Sequence, residues 1–460
     1  MKKILQNILQ QKLLEVEKLP KFPSVNKKIN TRNFYSAVRN ISGNFPKLIA
    51  EIKFRSPSNN KIFNGKDFSP ANLANSFESV GASAISVLTD KKFFGGNTDF
   101  LILAKKNTKK TPILAKDFFI SKKQIWQAGT KGADAILLIA KIFENSSSKL
   151  NFEKLIELKN FAEKIGLSTV LEIENENELE KILSIPGKKI IGINSRNLKD
   201  FSINFGKIFQ LAKKIPKENV IIAMSGFFNN EIRILKKISD AVLIGTAICK
   251  AENPSKKLID FLNSKPILKF CGIRTWRDFL KAEELGVNFI GLNFATNSKR
   301  KISEELAEKI SKFPKKIKTV GIFQNQEKKF CEKICQKFSI DFVQLSGNEN
   351  PKDFENFSFP IWKGIGKNFL ENIKKWDKLA DVFIFDSSIP GSGKSGERNF
   401  LEKLVIKKPF FIAGGINSEN ITEISKKYLA DGFDLASGLE NSKKTGWCHR
   451  KMKKIVKIFQ

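Results

Sequence analysis

Glu51 and Lys53 stand two residues apart at the end of the apolar run KLIAEIK (47–53), so in an extended segment they share one face. Polar residues close later apolar runs in the same way: Lys116 in PILAKDF (112–118), Glu172 in STVLEI (168–173), then Asn194 and Arg196 at KIIGINSR. Two Lys, two Glu, an Asn and an Arg suit acid–base work on an anionic substrate, because neighbouring Lys and Glu supply proton donors and acceptors with opposed pKa values. A set of buried ion pairs is the competing reading. Six such groups converging on one mouth favour a catalytic site. A sparser set lies further on, with Cys271 in LKFCGI (268–273) and Asp386 in VFIFDS (382–387). A lone strand Cys is usually an inert core residue. Facing an Asp across a shared mouth, it can serve as the base of a proton shift, with the Asp as acid.

The elements that must position these residues alternate short β-rich runs with longer stretches at helical period, the pattern of a parallel sheet with crossover helices. The first part holds eight such runs: 47–53, 84–90, 112–118, 135–140, 168–173, 189–195, 219–225 and 241–247. The second holds eight more: 267–273, 289–294, 318–323, 342–347, 361–366, 382–387, 410–415 and 432–438. Eight βα units in about 200 residues make a compact barrel, so the 460-residue chain is read as α/β, two tandem (β/α)₈ TIM barrels. The polar segment DFLNSKP (260–266) marks the boundary, giving domains 1–262, with an N-terminal helical extension, and 266–460.

Both parts end alike. The seventh run leads into SGFFN (225–229) or GGINS (414–418), and the eighth into GTA (245–247) or SGLE (437–440). Small residues there let backbone N–H groups approach an anion, and loops after strands seven and eight are where barrels commonly hold a substrate phosphate. The segment SIPGSGKSGE (388–397) mimics a nucleotide-binding loop, but Ser388 stands where the motif needs Gly. It reads as a Gly-rich active-site loop, with ATP binding as the lesser alternative.

Net charge is +34, from 81 basic and 47 acidic residues, which would ordinarily suggest a polyanion partner. The excess is nearly all Lys and accompanies abundant Asn, Ile and Phe, residues with AT-rich codons, so codon usage accounts for it. No Arg-rich stripe or aromatic–basic interleaving supports nucleic-acid binding. Apolar runs fall far short of a membrane span, and the N-terminus reads as an amphipathic helix, not a signal peptide. Five Cys (249, 271, 331, 335, 448) show no disulfide framework, which fits a reducing cytosol. Cys331 and Cys335 lie one helical turn apart without the further ligands a zinc site needs. His449, alone in a basic C-terminal helix, is expected to face solvent.

KLIAEIK followed by SPS, then ISVLTD, LAKDF, the Glu of STVLEI, GINSRNL and IGTA, together with the opening TRNFYSAV (31–38), resemble the indole-3-glycerol-phosphate synthase family across residues 1–262. That family closes an indole ring from carboxyphenylamino-deoxyribulose phosphate with loss of carbon dioxide and water. The resemblance implies Lys116 as general acid at the substrate carbonyl and Glu172 as base in dehydration, assisted by Lys53 with Glu51 alongside. It implies that Asn194 and Arg196 orient the substrate, while Ser56, Ser225, Gly226, Gly245 and Thr246 hold its phosphate. KFCGIR, GLNF with a following Ser-Lys-Arg, VQLSG, FD before GSG, AGGI and FDLASGLE resemble the phosphoribosylanthranilate isomerase family across residues 266–440. That family carries out an Amadori rearrangement. The resemblance implies Cys271 as general base, Asp386 as general acid, Arg300 as partner of the anthranilate carboxylate, and Gly414, Gly415, Ser437 and Gly438 as the phosphate site.

The sequence departs from these patterns at four places. Met224 replaces the Glu expected before Ser225-Gly226, Asn59-Asn60 replaces Lys-Gly after SPS, Ser346 replaces the His of QLHG, and the tail GWCHRKMKK differs. The expectation is a cytoplasmic, monomeric enzyme of tryptophan biosynthesis acting on small phosphorylated anthranilate–ribose substrates. It uses no metal or other cofactor and binds neither nucleic acid nor membrane. The alternatives are an active isomerase beside an impaired synthase barrel, and a basic nucleic-acid-binding scaffold on barrel folds.

Overall fold

The structure is a computed structural model. It describes residues 2–21, 28–41, 45–55, 69–144, 151–197, 202–228, 230–236, 238–263, 265–366, 368–386, 401, 406 and 408–459. The chain divides into two compact units, Met1–Phe228 with Lys237–Asn263, and Asn229–Lys236 with Ser264–Gln460.

In the first unit β1 (Lys47–Ile52), β2 (Ala84–Leu88), β3 (Ile113–Lys116), β4 (Ala135–Ile139), β5 (Ser168–Ile173), β6 (Ile190–Asn194), β7 (Val220–Met224) and β8 (Ala241–Ile244) form a closed barrel in chain order. Every pairing is parallel, and β8 returns to β1 with Val242 opposite Leu48. The second unit repeats this with β9 (Ile267–Cys271), β10 (Phe289–Asn293), β11 (Lys318–Phe323), β12 (Phe342–Leu345), β13 (Ile361–Ile365), β14 (Ala380–Phe385), β15 (Phe410–Ile412) and β16 (Gly432–Leu435). Two tandem (β/α)₈ barrels are therefore the architecture, as the alternation of runs predicts.

The strands are rich in Ile, Val, Leu and Phe because both of their faces are covered, by the barrel interior and by the helices. Interior packing in the second barrel is aromatic. Phe289 of β10 lies 5.0 Å, centroid to centroid, from Trp362 of β13, and Trp362 lies 4.9 Å from Phe411 of β15. These strands are not neighbours, so the rings meet across the barrel. Helices begin where a short polar side chain caps the first turn. Asn175 accepts the N–H of Glu178, Thr275 that of Asp278 and Ser303 that of Leu306, while Ser121 and Gln124 form a full capping box. These caps end the loops that leave the C-terminal ends of the strands and fix where the mouth residues stand.

Candidate active sites at the two barrel mouths

In the first barrel the six expected residues do converge. Glu51, Lys53, Lys116, Glu172, Asn194 and Arg196 line one pocket at the C-terminal ends of the strands. Lys53 Nζ lies 2.7 Å from Glu51 Oε1 and donates to Thr246 Oγ1 at 3.2 Å. Lys116 Nζ lies 3.4 Å from Glu172 Oε2, while Asn194 Nδ2 donates to Glu172 Oε1 at 3.0 Å. Burial pushes the Glu51 carboxyl up, but Lys53, Lys116 and Arg196 outweigh it, so its pKa lies below the ordinary value. Arg196 is drawn down by burial, and Glu51 opposes the shift.

The loops after β7 and β8 reach the same pocket through Ser225, Gly226, Gly245 and Thr246. Gly245 has no room for a side chain: a Cβ there would sit 2.1 Å from Glu51 Oε1. Ser225 has φ 69°, a left-handed conformation costly for a residue with a Cβ, and the Ser195 hydroxyl donates to its carbonyl at 3.0 Å. Ser56 and Asn59-Asn60 lie outside the described residues. Met224 lines the pocket yet is 2% exposed, because its thioether lies over Gly192 of β6, where a Cβ would meet Cε at 2.4 Å. The residue thus faces the mouth and fills space at once.

In the second barrel Cys271 ends β9, half-buried, and Asp386 follows β14 beside a second pocket. Burial and the Asp434 carboxylate push the Cys271 thiol up to about 11, against the pull of Lys269 and Arg300. Arg300 is already engaged: its Nε and Nη2 donate to the two Glu440 oxygens at 2.9 and 3.3 Å, and Arg274 donates to Glu440 at 3.2 Å. A substrate carboxylate reaching Arg300 must share it with Glu440 or displace that residue. Gly414 and Gly415 both take left-handed conformations, with φ 76° and 64°. Gly438 sits so close to the other loop that a Cβ would lie 2.0 Å from the Ile416 carbonyl oxygen, which brings Ser437-Gly438 against the loop after β15. The GSGKSGE loop lies outside the described residues.

Sequence reasoning missed two groups here. Lys269, fully buried, pairs with Asp434 of β16 at 2.8 Å, and the other Asp434 oxygen is buried without a hydrogen-bond partner. Burial works against the Lys269 ammonium, yet Asp434 and Cys271 outweigh it and hold its pKa above the ordinary value. The signal was available, since Lys269 and Cys271 alternate on one strand as Glu51 and Lys53 do. Lys363 pairs with Glu349 at 2.6 Å, and burial holds the lysine below its usual pKa. His449 corrects the expectation of an isolated exposed side chain. Its Nε2 lies 3.1 Å from Asp278 Oδ1, and the same carboxylate accepts the Trp447 N–H.

Among the described residues no three His, Cys, Asp or Glu side chains gather as a metal site, and no helix is long and apolar enough to cross a membrane. All five cysteines are free thiols.

Comparison with known proteins assigns each barrel to a family. Residues 5–261 match the family model described as indole-3-glycerol phosphate synthase, and residues 268–460 match N-(5'phosphoribosyl)anthranilate (PRA) isomerase. The tryptophan biosynthesis protein TrpCF of Buchnera aphidicola subsp. Schizaphis graminum is 33% identical over 93% of this chain and 91% of its own. TrpCF of Buchnera aphidicola subsp. Acyrthosiphon pisum is 33% identical over 100% of this chain and 98% of its own. TrpCF of Haemophilus influenzae is 33% identical over 89% and 86%. With one family model matching the first barrel, the other matching the second, and these relatives spanning both, the chain belongs to the bifunctional tryptophan-biosynthesis family TrpCF.

Proposed function

We propose that the second barrel isomerises N-(5-phosphoribosyl)anthranilate to 1-(2-carboxyphenylamino)-1-deoxyribulose 5-phosphate, and that the first converts this product to indole-3-glycerol phosphate, releasing carbon dioxide and water. The observation that carries the reading is the Lys116–Glu172–Asn194 chain, a cation, a carboxylate and an amide in contact at one mouth. Ring closure needs a proton delivered to the ketone oxygen as the aromatic carbon attacks, which the Lys116 ammonium supplies. Loss of carbon dioxide restores the aromatic ring, and loss of water needs a base, the Glu172 carboxylate. Lys53, held by Glu51, adds positive charge where oxygen becomes anionic. Asn194 and Arg196 orient the substrate, and Ser56, Ser225, Gly226, Gly245 and Thr246 hold its phosphate.

In the isomerase, Asp386 protonates the ribose ring oxygen as the ring opens to an iminium ion. Cys271 then removes the proton from C2′, giving the enol that becomes the ketose. The thiolate is scarce in the free enzyme, but with a pKa near 11 it is a correspondingly strong base. Arg300 receives the anthranilate carboxylate, and Gly414, Gly415, Ser437 and Gly438 take the phosphate. Both reactions use proton transfer by the chain's own residues and are proposed to need no added cofactor. The enzyme is proposed to work as a cytoplasmic monomer on these small substrates, without nucleic acid.

A second reading, an active isomerase beside a weakened synthase, is favoured by the departures at Met224 and at Asn59-Asn60. One coupled assay separates the two. Supplied with the isomerase substrate, the chain is expected to yield indole-3-glycerol phosphate. Accumulation of the aminoketose would select the second reading, and turnover of neither substrate would overturn both.

A further inference from the structure

The N-terminal helix α1 (Lys2–Glu17) carries a lysine that the reactions above do not use. Lys12 is 2% exposed, rare for a lysine unless its ammonium is paired. Its Nζ lies 2.8 Å from Asp90 Oδ2, 2.8 Å from Asp117 Oδ1 and 2.9 Å from Glu15 Oε2. Neither Asp belongs to α1. Asp90 follows β2, and Asp117 follows β3 immediately after Lys116.

Both carboxylates are built into the mouth. Asp90 Oδ1 accepts the N–H groups of Phe93 and Phe94 at 2.7 and 3.1 Å, capping the helix Lys91–Phe94. Asp117 Oδ1 accepts the Phe118 N–H at 2.8 Å, and Oδ2 accepts the Thr89 hydroxyl at 2.6 Å. Phe94, Phe118 and Lys116 line the same pocket. Two carboxylates buried side by side repel each other, and an ammonium between them offsets that repulsion. Burial holds the Asp117 carboxyl above its ordinary value, while Lys12 and Thr89 pull it back and Asp90 pushes it further. Burial works against the Lys12 charge, yet Asp117 and Asp90 outweigh it and hold its pKa above the usual lysine value. Further along the extension, Arg32 is fastened at the opposite ends of the strands. The Arg32 N–H donates to Asp134 before β4 at 2.6 Å, and its guanidinium donates to the Thr111 carbonyl before β3 at 2.7 Å.

We propose that Lys12 is a positioning residue of the synthase site, acting through Asp117 and Asp90 to hold the ends of β3 and β2 and thereby place Lys116. This rests on the assignment of Lys116 to the synthase reaction. The test compares Lys12→Met, Asp117→Asn, their double variant and Lys12→Arg in the full chain, measuring kcat and KM for both reactions together with melting temperature. Lys12→Met is expected to lower synthase kcat at least about tenfold, with KM moving less than about threefold and isomerase rates unchanged. Lys12→Arg, which keeps the charge, recovers most of that loss. The double variant is expected to be no slower than the slower single, because both changes break one linkage. Parent-level synthase kcat in Lys12→Met, whatever its melting temperature, would overturn the proposal, as would losses that multiply in the double variant. If Lys12→Met does not fold, Lys12→Gln is judged by the same criteria. Should Lys116→Ala turn over at the parent rate, the Lys116 assignment itself falls and the inference with it.

Discussion

Cys271 shows how far one residue's chemistry depends on neighbours the sequence does not display. Its strand position is legible from LKFCGI, but the pair that surrounds it comes from opposite ends of the second barrel's sequence, Lys269 on β9 and Asp434 on β16. Those strands become neighbours only when the barrel closes. Cys271→Ala is expected to abolish isomerisation, by roughly 10²–10⁴-fold for a lost base, while synthase rates stay at the parent value. An isomerase near the parent rate would remove the assignment. The raised thiol pKa gives a second expectation. Burial and Asp434 disfavour the thiolate, so inactivation of the isomerase by iodoacetamide should accelerate with pH towards a midpoint near 11. Removing the Asp434 charge takes away one cause of the upward shift, so Asp434→Asn should move that midpoint to lower pH. A midpoint that stays put or rises would show that Asp434 does not govern the thiol.

At the scale of elements, the strands and their polar ends were readable because a barrel strand repeats one rule, apolar inside and out, with function confined to its C-terminal end. Glu51, Lys53, Lys116, Glu172 and Asn194 stand at one mouth for that reason. What periodicity does not encode is where a helix docks. The α1 pattern predicts an amphipathic helix, yet nothing local says that Lys12 reaches the ends of β2 and β3. Packing between strands was hidden in the same way. Asn194 pairs in register with Met224, and two residues earlier Gly192 opens the space that the Met224 thioether occupies. Lys53, Lys116 and Arg196 line that pocket with Glu51, Glu172 and Asp117, and Asp117 is already paired with Lys12. A further carboxylate facing these cations would add electrostatic support, so Met224→Glu is expected to raise synthase turnover by up to about a hundredfold without changing the isomerase. Kinetics and melting temperature are measured on the same variant. Lower stability with no kinetic gain would mean that filling the space over Gly192 is all that Met224 does.

At the scale of the whole molecule, two closed barrels, each matched by its own family model, imply two enzymes in one chain, expected to work independently. The segment Asn229–Lys236 qualifies this independence. It follows β7 of the first barrel in sequence but belongs to the second compact unit, where Lys236 Nζ lies 2.9 Å from Asp431 Oδ1. Asp431 precedes β16, accepts the Phe410 N–H at 3.1 Å and is nearly fully buried. Cutting the chain into 1–262 and 266–460 therefore leaves that carboxylate without its lysine. An unpaired buried charge is destabilising, by about 3–5 kcal/mol where the pair was fully buried and by less where, as with Lys236, one partner is part-exposed. Each half is still expected to fold and to keep one activity, 1–262 the synthase and 266–460 the isomerase, with a lowered melting temperature in the second half. Asp431→Asn in that half should recover part of the loss, since a neutral amide at the site no longer needs the cation. If the isomerase step vanished from a folded 266–460, independence would be wrong. If Asp431→Asn left the melting temperature where it was, the lost ion pair would not be the cause of the weakening.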